Sequence, residues 1–380
     1  QATGSTKFLN IARRYADCVV REVGDKPGQA CVVPGHQIAE MALSRLYVLL
    51  NSDEYKKNEA RNPSTHKLAN SSTPDKYLEQ AKFFLDYRGK TSFKTQYSQS
   101  HRPVVRQDEA VGHAVRAGYM YSGMADVMAQ TGDQTLKPAL ESVWHDIVDR
   151  KMHITGGLGA VAGIEGFGPA YALPNKDTYD ETCAAVGNVL FNYRMFLASG
   201  DAKYVDVAEV ALYNNVLAGV NIEGNRFFYV NVLEADGKKA FNHGRAGRSP
   251  WFSTACCPSN MARLIPQVPG MIYSHTDNDI YCGLYASSVT DIPLNSGNVK
   301  MTQETNYPFD GKIDIEVNPE TDGSEFILWL RIPTWCNDRF VPGELYSYAD
   351  QTVSKIQASI NGKRVKAAVT NGYLPIKQAW

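Results

Sequence analysis

Residues 184–216 read AAVGNVLFNYRMFLASGDAKYVDVAEVALYNNV, and their pattern is the clearest indication of the fold. In both Ala184–Ala198 and Ala202–Val216, apolar residues recur every three or four positions, which predicts two helices that each bury one stripe. Between them, Gly200 can take the left-handed conformation that ends a helix, and Asp201 can cap the helix that follows. The stretch is therefore predicted to be an αα-hairpin, the repeating unit of helical toroids and solenoids.

The same helical pattern occurs upstream of this hairpin. Thr131-Gly132-Asp133 repeats the helix-ending glycine and capping aspartate of Ser199-Gly200-Asp201. Asn51-Ser52-Asp53 stands at a similar place after an earlier helix. Because the unit recurs, we expect a helical domain over residues 1–275. The upstream helices are predicted over Lys7–Glu22, Gln37–Leu50, Ala110–Ala129 and Leu136–Val148.

After about residue 275 the apolar residues alternate with polar ones, which is the period of a half-buried strand. Asn361-Gly362 and Asn371-Gly372 are strong signals for tight turns between such strands. We therefore expect a β-sandwich domain over residues 276–380, of which the sequence holds only a part. The alternating residues are Ile313, Ile315 and Val317 in one run and Phe326, Leu328, Leu330 and Ile332 in the next.

Composition and charge exclude several classes of partner. Lys and Arg total 39 and Asp and Glu total 40, so the net charge is −1. This balance gives no electrostatic footprint for nucleic acid or for an anionic membrane. No apolar run approaches the roughly 20 residues that cross a bilayer. The sequence therefore predicts neither a nucleic acid nor a membrane as partner.

The chain has seven cysteines at irregular spacing, an odd number that argues against a disulfide framework. Two of them, Cys256 and Cys257, lie side by side in STACCPSN, residues 253–260. Pro258 is favoured at the first helical position, which would place both sulfurs at a helix N-terminus, where the dipole lowers the pKa of a thiol. The alternative is that both are small buried apolar residues at the start of a helix.

A second cluster, Tyr179–Cys183, reads YDETC just before a helix. In an extended segment residues two apart share a face, so Glu181 and Cys183 can point together if the helix starts near Thr182. With Cys256-Cys257 they supply three soft thiolates and one carboxylate, a ligand set that fits tetrahedral zinc best. The alternative is that Glu181 pairs with the helix dipole and Cys183 belongs to the core.

The stretch Gly156–Gly168, GGLGAVAGIEGFG, has six glycines in thirteen residues, which implies unusual backbone conformations or close approach to a ligand. It is no phosphate-binding loop, because no Gly-Lys-Ser/Thr follows and the GxGxxG spacing does not fit. Its single carboxylate, Glu165, can serve as a general acid among these glycines and apolar residues. The alternative is a solvated loop carboxylate.

Three histidines are candidates for a ligand site: His36, His101 and His113. His36 is predicted to open a helix. His113 is predicted to lie inside one, between Gly112 and Ala114, whose small size leaves room for a ligand. The alternative is that each is an ordinary histidine with its hydrogen bonds satisfied in the core.

Five segments, in this order, resemble the bacterial β-L-arabinofuranosidases of glycoside hydrolase families 127 and 146. Together they run over most of residues 30–270. The segments are PGHQIAEMALSRLY (34–47), QDEAVGHAVRAGYMYSG (107–123), MHITGGLGAVAGIEGFG (152–168), LPNKDTYDETC (173–183) and WFSTACCPSNMARL (251–264).

The resemblance implies an (α/α)6 toroid with zinc at its mouth, followed by a β-sandwich. Fewer helices are predicted here than a complete toroid has, so we expect that N-terminal helices are missing. By motif, Cys256 is implied to be the nucleophile and Glu165 the general acid/base, while His36 and His113 contact the sugar. The implied zinc ligands are Glu181, Cys183, Cys256 and Cys257.

The implied activity is a retaining glycoside hydrolase that releases L-arabinose from β-L-arabinofuranosides of plant cell-wall glycans or glycoproteins. Two alternatives stay open. One is another plant-glycan furanoside, or a branched acidic sugar whose carboxylate would pair with Arg102 or Arg106. The other is a non-catalytic carbohydrate-binding protein with a structural zinc. A monomer and a homodimer are both compatible with the sequence, as are the periplasm and the cytoplasm of a bacterium.

Overall fold

The computed structural model describes residues 6–53, 55–57, 73–337, 339–350, 356–365 and 368–380. A helical region comes first and a β region follows it, as predicted. The helices are α1 (Lys7–Glu22), α2 (Ala39–Asn51), α3 (Asp75–Tyr87), α4 (Ala114–Thr131), α5 (Lys137–Arg150), α6 (Thr182–Ser199), α7 (Ala202–Ala211) and α8 (Cys256–Leu264). The strands are β1 (Tyr273–His275), β2 (Asp279–Cys282), β3 (Ser288–Leu294), β4 (Gly297–Thr305), β5 (Ile313–Pro319), β6 (Glu325–Arg331), β7 (Ser359–Ile360), β8 (Lys363–Arg364) and β9 (Tyr373–Ala379).

The chain folds into two compact units. Unit 1 comprises Gln1–Lys151 and Leu158–Asp180, and unit 2 comprises Met152–Gly157 and Glu181–Trp380. Helices α6 to α8 therefore belong to the same unit as the strands. The division at residues 275 and 276, which follows the change of secondary structure, stays a prediction. In the part of the chain that the structure describes, no helix has the length and apolarity to span a bilayer.

Unit 1 is built on helix α4, which is buried along most of its length. Helix α2 packs against α3 and α4, and α5 packs against α4. Gly132 ends α4 in the left-handed conformation, with φ 73°. The Asp133 carboxylate then accepts a hydrogen bond from the Thr135 N–H at 3.0 Å, at the turn that leads into α5. The predicted turn between these two helices is therefore confirmed.

Unit 2 contains the hairpin of α6 and α7. Gly200 has φ 71°, and Asp201 Oδ1 accepts a hydrogen bond from the Lys203 N–H at 3.0 Å, so this second predicted turn is also confirmed. The prediction that the second helix runs on to Val216 is wrong in part, since Leu212–Val216 forms a π-helical turn. At that point a Cβ on Gly156 would lie 2.5 Å from the Ala211 Cα, so the loop backbone approaches the helix closely.

The β region of unit 2 has two main sheets. One has the order β1-β2-β6-β9, in which β2 and β6 are parallel, and the other is the antiparallel set β3-β4-β5. Both predicted Asn-Gly turns are present, with positive φ at Asn361, Gly362, Asn371 and Gly372. Residues of both sheets share one core, made of Ile280, Ile292, Val299, Met301, Phe326, Leu328 and Ile376.

A buried ion-pair network joins the strands of unit 2 to α7. Arg331, at the end of β6, pairs with both Asp206 and Glu209 of α7, and all three side chains are buried. The Tyr307 hydroxyl and the Trp335 indole N–H donate further hydrogen bonds to Glu209. Removing one partner of a buried pair leaves an uncompensated charge at a cost of about 3–5 kcal/mol. The network therefore fixes α7 against β6.

His153 makes the stability of unit 2 depend on pH. Its side chain is 1% exposed, and burial lowers its pKa from 6.5 to about 4. The unfolded chain thus binds more protons between these two values, so stability is lost as the pH falls through this window. We expect His153→Gln to remove about 1.4 kcal/mol per pH unit of this dependence, roughly 3 kcal/mol in total.

Urea unfolding of the wild type and His153→Gln at pH 7, 6, 5 and 4 measures this difference. His145→Gln is the matched control, because His145 is exposed and bonds Asp149 on the helix surface. Equal pH dependence in the wild type and His153→Gln would show that His153 is not buried in its neutral form.

Candidate active site

The two adjacent cysteines open helix α8. Cys256 and Cys257 are its first two residues, with Ala255 as the N-cap, so both sulfurs lie at a helix N-terminus as predicted. Pro258 is the third helical residue, and its predicted place at the first position is wrong. The third position tolerates proline as well, because the first four N–H groups of a helix have no partner within the helix.

Glu181 and Cys183 lie where a strand-like segment enters α6. Glu181 is the N-cap of α6 with extended backbone angles, and Thr182 is the first helical residue. The Thr182 N–H donates to the carbonyl oxygen of Tyr229 at 2.9 Å, and Glu181 forms a β-bridge with Val230. The predicted extended lead-in before Thr182 is therefore confirmed.

Within unit 2 these four residues form one group, which we call the thiol cluster: Glu181, Cys183, Cys256 and Cys257. One ligand atom from each lies within 4.8 Å of all the others. Glu181 Oε1 is 3.6 Å from the Cys256 sulfur and 3.5 Å from the Cys257 sulfur. All seven cysteines of the chain are free thiols, so no disulfide competes with this arrangement.

The donor set fits zinc in both chemistry and spacing. Zn–S bonds of about 2.3 Å and a Zn–O bond of about 2.0 Å at tetrahedral angles place sulfur and oxygen about 3.5 Å apart. The two sulfur–oxygen distances match this edge. Three thiolates with one carboxylate also suit zinc better than the oxygen-seeking cations. The cluster is therefore suited to hold a metal ion.

Cys256 differs from the other two thiols of the cluster. It is half-buried, whereas Cys183 and Cys257 are buried. Hydrogen bonds from the Cys183 and Cys257 thiols hold the pKa of Cys256 well below its ordinary range. The hydrogen bond to Cys256 raises the pKa of Cys183, and burial raises that of Cys257. Cys256 is therefore the sulfur that ionises first and that a ligand can reach.

Two polar neighbours of the cluster were not predicted from the sequence. The Tyr229 hydroxyl lies 3.1 Å from the Cys256 sulfur, and Asn260 Nδ2 donates to the Cys183 sulfur at 2.9 Å. Asn260 lies one helical turn after Cys256, so the i, i+4 spacing could have identified it. Tyr229 reaches the cluster from a distant loop, and no local pattern in FFYVN signals it.

In unit 1, Glu165 pairs with His113. Glu165 Oε2 lies 3.0 Å from His113 Nε2, and the glutamate side chain is 40% exposed while the histidine is buried. His113 is the N-cap of α4, so its predicted place inside a helix is wrong. Its Nδ1 accepts hydrogen bonds from the N–H groups of Val115 and Arg116. The ring proton is thereby placed on Nε2, where it is donated to Glu165.

The backbone around Glu165 depends on glycine. Glu165 itself has φ 49°, a left-handed conformation that is uncommon for a residue with a side chain. Gly166 forms β-bridges with His113 and Val161, and a Cβ on Gly166 would lie 2.0 Å from the carbonyl oxygen of Gly112. The close contact between these two backbones holds the carboxylate beside the imidazole.

His36 lies near the same pair within unit 1. It precedes α2 by three residues, so the prediction that it opens the helix is wrong by about one turn. Its ring centroid is 6.1 Å from that of His113 and 5.7 Å from that of Tyr119. The exposed Tyr97 ring packs edge-on against His113 at 5.5 Å. Aromatic and imidazole faces of this kind suit a sugar ring.

The arginines suggested for an acidic sugar are placed differently. Arg102 forms an ion pair with Asp108, and its Nε donates to His101 at 3.2 Å. Arg106 ends a short 3-10 helix and is exposed. Because the Arg102 charge is already matched by a carboxylate, the structure gives no support to Arg102 as a binding group for an acidic sugar.

Comparisons with known proteins agree on one family. The model of the beta-L-arabinofuranosidase GH127 catalytic domain matches residues 1–270, and that of the GH127 middle domain matches residues 279–380. The chain is 30% identical over 384 residues to a non-reducing end beta-L-arabinofuranosidase of Bifidobacterium longum subsp. longum. That match covers 98% of this chain and 55% of the relative.

Solved structures give the same result. A GH127 beta-arabinofuranosidase matches with a TM-score of 0.87 and 48% identity over 100% of this chain and 55% of its own. A GH127 beta-L-arabinofuranosidase from Geobacillus stearothermophilus T6 matches with a TM-score of 0.84 and 36% identity, over 100% and 57%. The chain thus spans a little over half the length of the relatives it matches.

Proposed function

The chain belongs to the GH127 family of beta-L-arabinofuranosidases, a family of glycoside hydrolases, and we propose that it is a retaining enzyme that releases L-arabinose from β-L-arabinofuranosides. The observation that carries this proposal is the thiol cluster, in which one half-buried, acidic thiol is backed by two buried thiols and a carboxylate. We also propose that the helices form part of an (α/α)6 toroid and that a β-sandwich domain follows at about residue 276.

Glu181, Cys183, Cys256 and Cys257 are the proposed zinc ligands. Zinc, when bound, keeps its coordinating thiols deprotonated at neutral pH. Bound zinc would thus keep a negative charge on Cys256, the half-buried member of the cluster. The Tyr229 hydroxyl at 3.1 Å can donate a hydrogen bond to this sulfur and so orient it.

The first half of the reaction transfers the sugar to the enzyme. Cys256 Sγ attacks the anomeric carbon while the glycosidic C–O bond breaks, and the carboxyl of Glu165 gives its proton to the departing oxygen. In ordinary retaining glycosidases a carboxylate makes this attack. A thiolate is a stronger nucleophile, and the bond that forms is a thioglycoside on Cys256.

The second half of the reaction releases L-arabinose. The Glu165 carboxylate, now without its proton, takes one from a water molecule that attacks the anomeric carbon. The C–S bond breaks, the Cys256 thiolate is regenerated, and the water proton remains on Glu165 for the next cycle. Two inversions at one carbon give net retention.

His113 and His36 are the proposed sugar contacts in unit 1. The Nε2–H of His113 is donated to Glu165 at 3.0 Å, which holds the carboxyl in one orientation throughout the cycle. The imidazole is kept in this tautomer by the two backbone N–H groups that point at Nδ1. His36 presents an exposed ring beside it.

The stereochemistry of the product tests this function. When an aryl β-L-arabinofuranoside is hydrolysed in an NMR tube, the β anomer of L-arabinose should appear first and the α anomer later by mutarotation. In the presence of methanol, the transfer product should be the methyl β-L-arabinofuranoside. Initial release of the α anomer would contradict the proposed double displacement, and release of no sugar would favour a non-catalytic binding protein.

A further inference from the structure

The segment Phe227–Val230 forms one wall of the thiol cluster. The carbonyl oxygen of Tyr229 accepts the Thr182 N–H at 2.9 Å and lies 3.8 Å from the Cys257 sulfur, and Val230 forms a β-bridge with Glu181. The side chain of Tyr229 reaches Cys256. A shift of this segment would therefore displace Glu181 and Cys257, two of the proposed metal ligands, together with the hydroxyl of Tyr229.

Asn242 holds this segment in place through its side chain. Its Oδ1 accepts the N–H groups of Tyr229 at 2.8 Å and Val230 at 3.3 Å. Its Nδ2 donates to the carbonyl oxygens of Phe227 at 3.2 Å and Gly247 at 3.0 Å. A side-chain amide can make four hydrogen bonds, two as donor and two as acceptor, and here all four go to backbone groups.

The position is built for this one residue type. Asn242 is 0% exposed, so none of these hydrogen bonds competes with water. A leucine of similar volume would remove all four hydrogen bonds. The Phe227 carbonyl would keep the hydrogen bond from the Ser249 N–H at 2.9 Å, but the N–H groups of Tyr229 and Val230 would lose the amide oxygen at a desolvation cost. An aspartate would keep the acceptor atom but would turn the two donated bonds into contacts between a carboxylate oxygen and a carbonyl.

The neighbouring residue holds the other end of Tyr229. His243 has φ 47°, and this turn brings its ring to 4.1 Å from the Tyr229 ring, between centroids. Phe252 packs edge-on against the Tyr229 ring at 5.6 Å. The backbone of Tyr229 is thus fixed by Asn242 and its ring by His243 and Phe252, which together aim its hydroxyl at Cys256.

We propose that Asn242 is a positioning residue that sets the geometry of the thiol cluster and of Tyr229 against Cys256. Its four side-chain hydrogen bonds go to backbone groups of residues 227, 229, 230 and 247, so it acts through the backbone of this segment. The inference rests on the metal centre proposed above. Substituting a residue that orients metal ligands without binding the metal itself typically changes metal affinity 10–100-fold.

A Co²⁺ titration of the metal-free protein tests this role, because thiolate-to-cobalt charge transfer and the visible bands of tetrahedral Co²⁺ report the cluster directly. We expect Asn242→Asp and Asn242→Leu to bind Co²⁺ at least tenfold more weakly than the wild type, with altered visible bands. Asn221→Ala is the matched control, since half-buried Asn221 also accepts hydrogen bonds from two backbone N–H groups, those of Asn225 and Arg226. Its Co²⁺ affinity should equal that of the wild type.

The outcomes separate this inference from the proposed function. Equal Co²⁺ affinity and spectra in the wild type and Asn242→Asp would overturn the role of Asn242 and leave the metal centre standing. A wild type that binds no Co²⁺ would overturn both. If the Asn242 variants fail to fold, the wild type alone can be measured. Metal binding should slow amide hydrogen exchange in the peptide that contains Tyr229 and Val230. Unchanged exchange there would overturn the inference.

Discussion

Replacing Cys256 by serine is expected to lower kcat/KM for an aryl β-L-arabinofuranoside by a factor on the order of 10⁴ or more, while the fold is retained. A serine hydroxyl stays protonated at neutral pH and is a far weaker nucleophile than a thiolate. It is also a poor zinc ligand, so part of the loss can come from the metal. Activity is therefore measured with excess zinc, and the metal content of the variant is determined in parallel.

Cys336→Ser is the matched control for this substitution. Cys336 is also a free, half-buried thiol, but it lies in a short 3-10 helix of the β region. We expect Cys336→Ser to keep wild-type activity. If Cys256→Ser retains more than a few per cent of the wild-type rate, another group makes the attack and the nucleophile assignment is wrong.

Replacing Glu165 by glutamine is expected to lower kcat by about 10²–10⁴-fold on a substrate with a poor leaving group. The loss of kcat/KM should be much smaller on a nitrophenyl arabinofuranoside, because nitrophenolate leaves without a proton, whereas kcat stays low because release of the sugar still lacks its general base. In that case hydrolysis of the thioglycoside becomes the slow step. Azide, which needs no general base, should then restore turnover and give a β-arabinofuranosyl azide.

The control for Glu165→Gln is Glu234→Gln, which removes an exposed carboxylate of unit 2. We expect that variant to behave as the wild type with every leaving group. A Glu165→Gln variant whose loss is the same for all leaving groups, with no effect of azide, would show that Glu165 transfers no proton in the reaction.

Much of the helical region could be predicted because its signals are local. The apolar period gave α1 at its observed bounds, and Gly132 and Gly200 marked helix ends because a left-handed C-terminal residue requires little more than the glycine itself. Helix α3 was missed. Its sequence, DKYLEQAKFFLDY, mixes six Asp, Lys, Glu and Gln residues with seven apolar or aromatic ones, and packing against α2 stabilises it in the fold.

The candidate site could be predicted in part for a different reason. Glu181, Cys183 and the pair Cys256-Cys257 carry rare ligand chemistry, so their residue types indicated a metal site before any geometry was known. The structure brings their donor atoms within 4.8 Å of one another. What the sequence could not indicate was the support behind them. Asn242 is an ordinary residue type in a glycine-rich loop, and its four hydrogen bonds exist only in the folded chain.

His113 shows how a local pattern can give a candidate residue the wrong place in the secondary structure. Helical periodicity extended the predicted helix upstream to Ala110, which placed His113 inside it. In the structure the imidazole Nδ1 accepts hydrogen bonds from backbone N–H groups in the first turn of α4, so His113 caps the helix and the helix begins at the next residue. Side-chain capping of this kind is expected for Ser, Thr, Asp and Asn, and the sequence rules give it little weight for histidine.

In the proposed mechanism the sulfur of Cys256 forms a covalent bond to the sugar. It is tested most directly by peptide mass spectrometry of Glu165→Gln protein quenched with acid during turnover of a nitrophenyl β-L-arabinofuranoside. Attack by Cys256 predicts that the peptide containing this residue gains the mass of one anhydropentose, with fragment ions that place it on Cys256 and leave Cys257 unmodified. An unmodified Cys256 in protein that is turning over substrate, or a pentose on another residue, would contradict it.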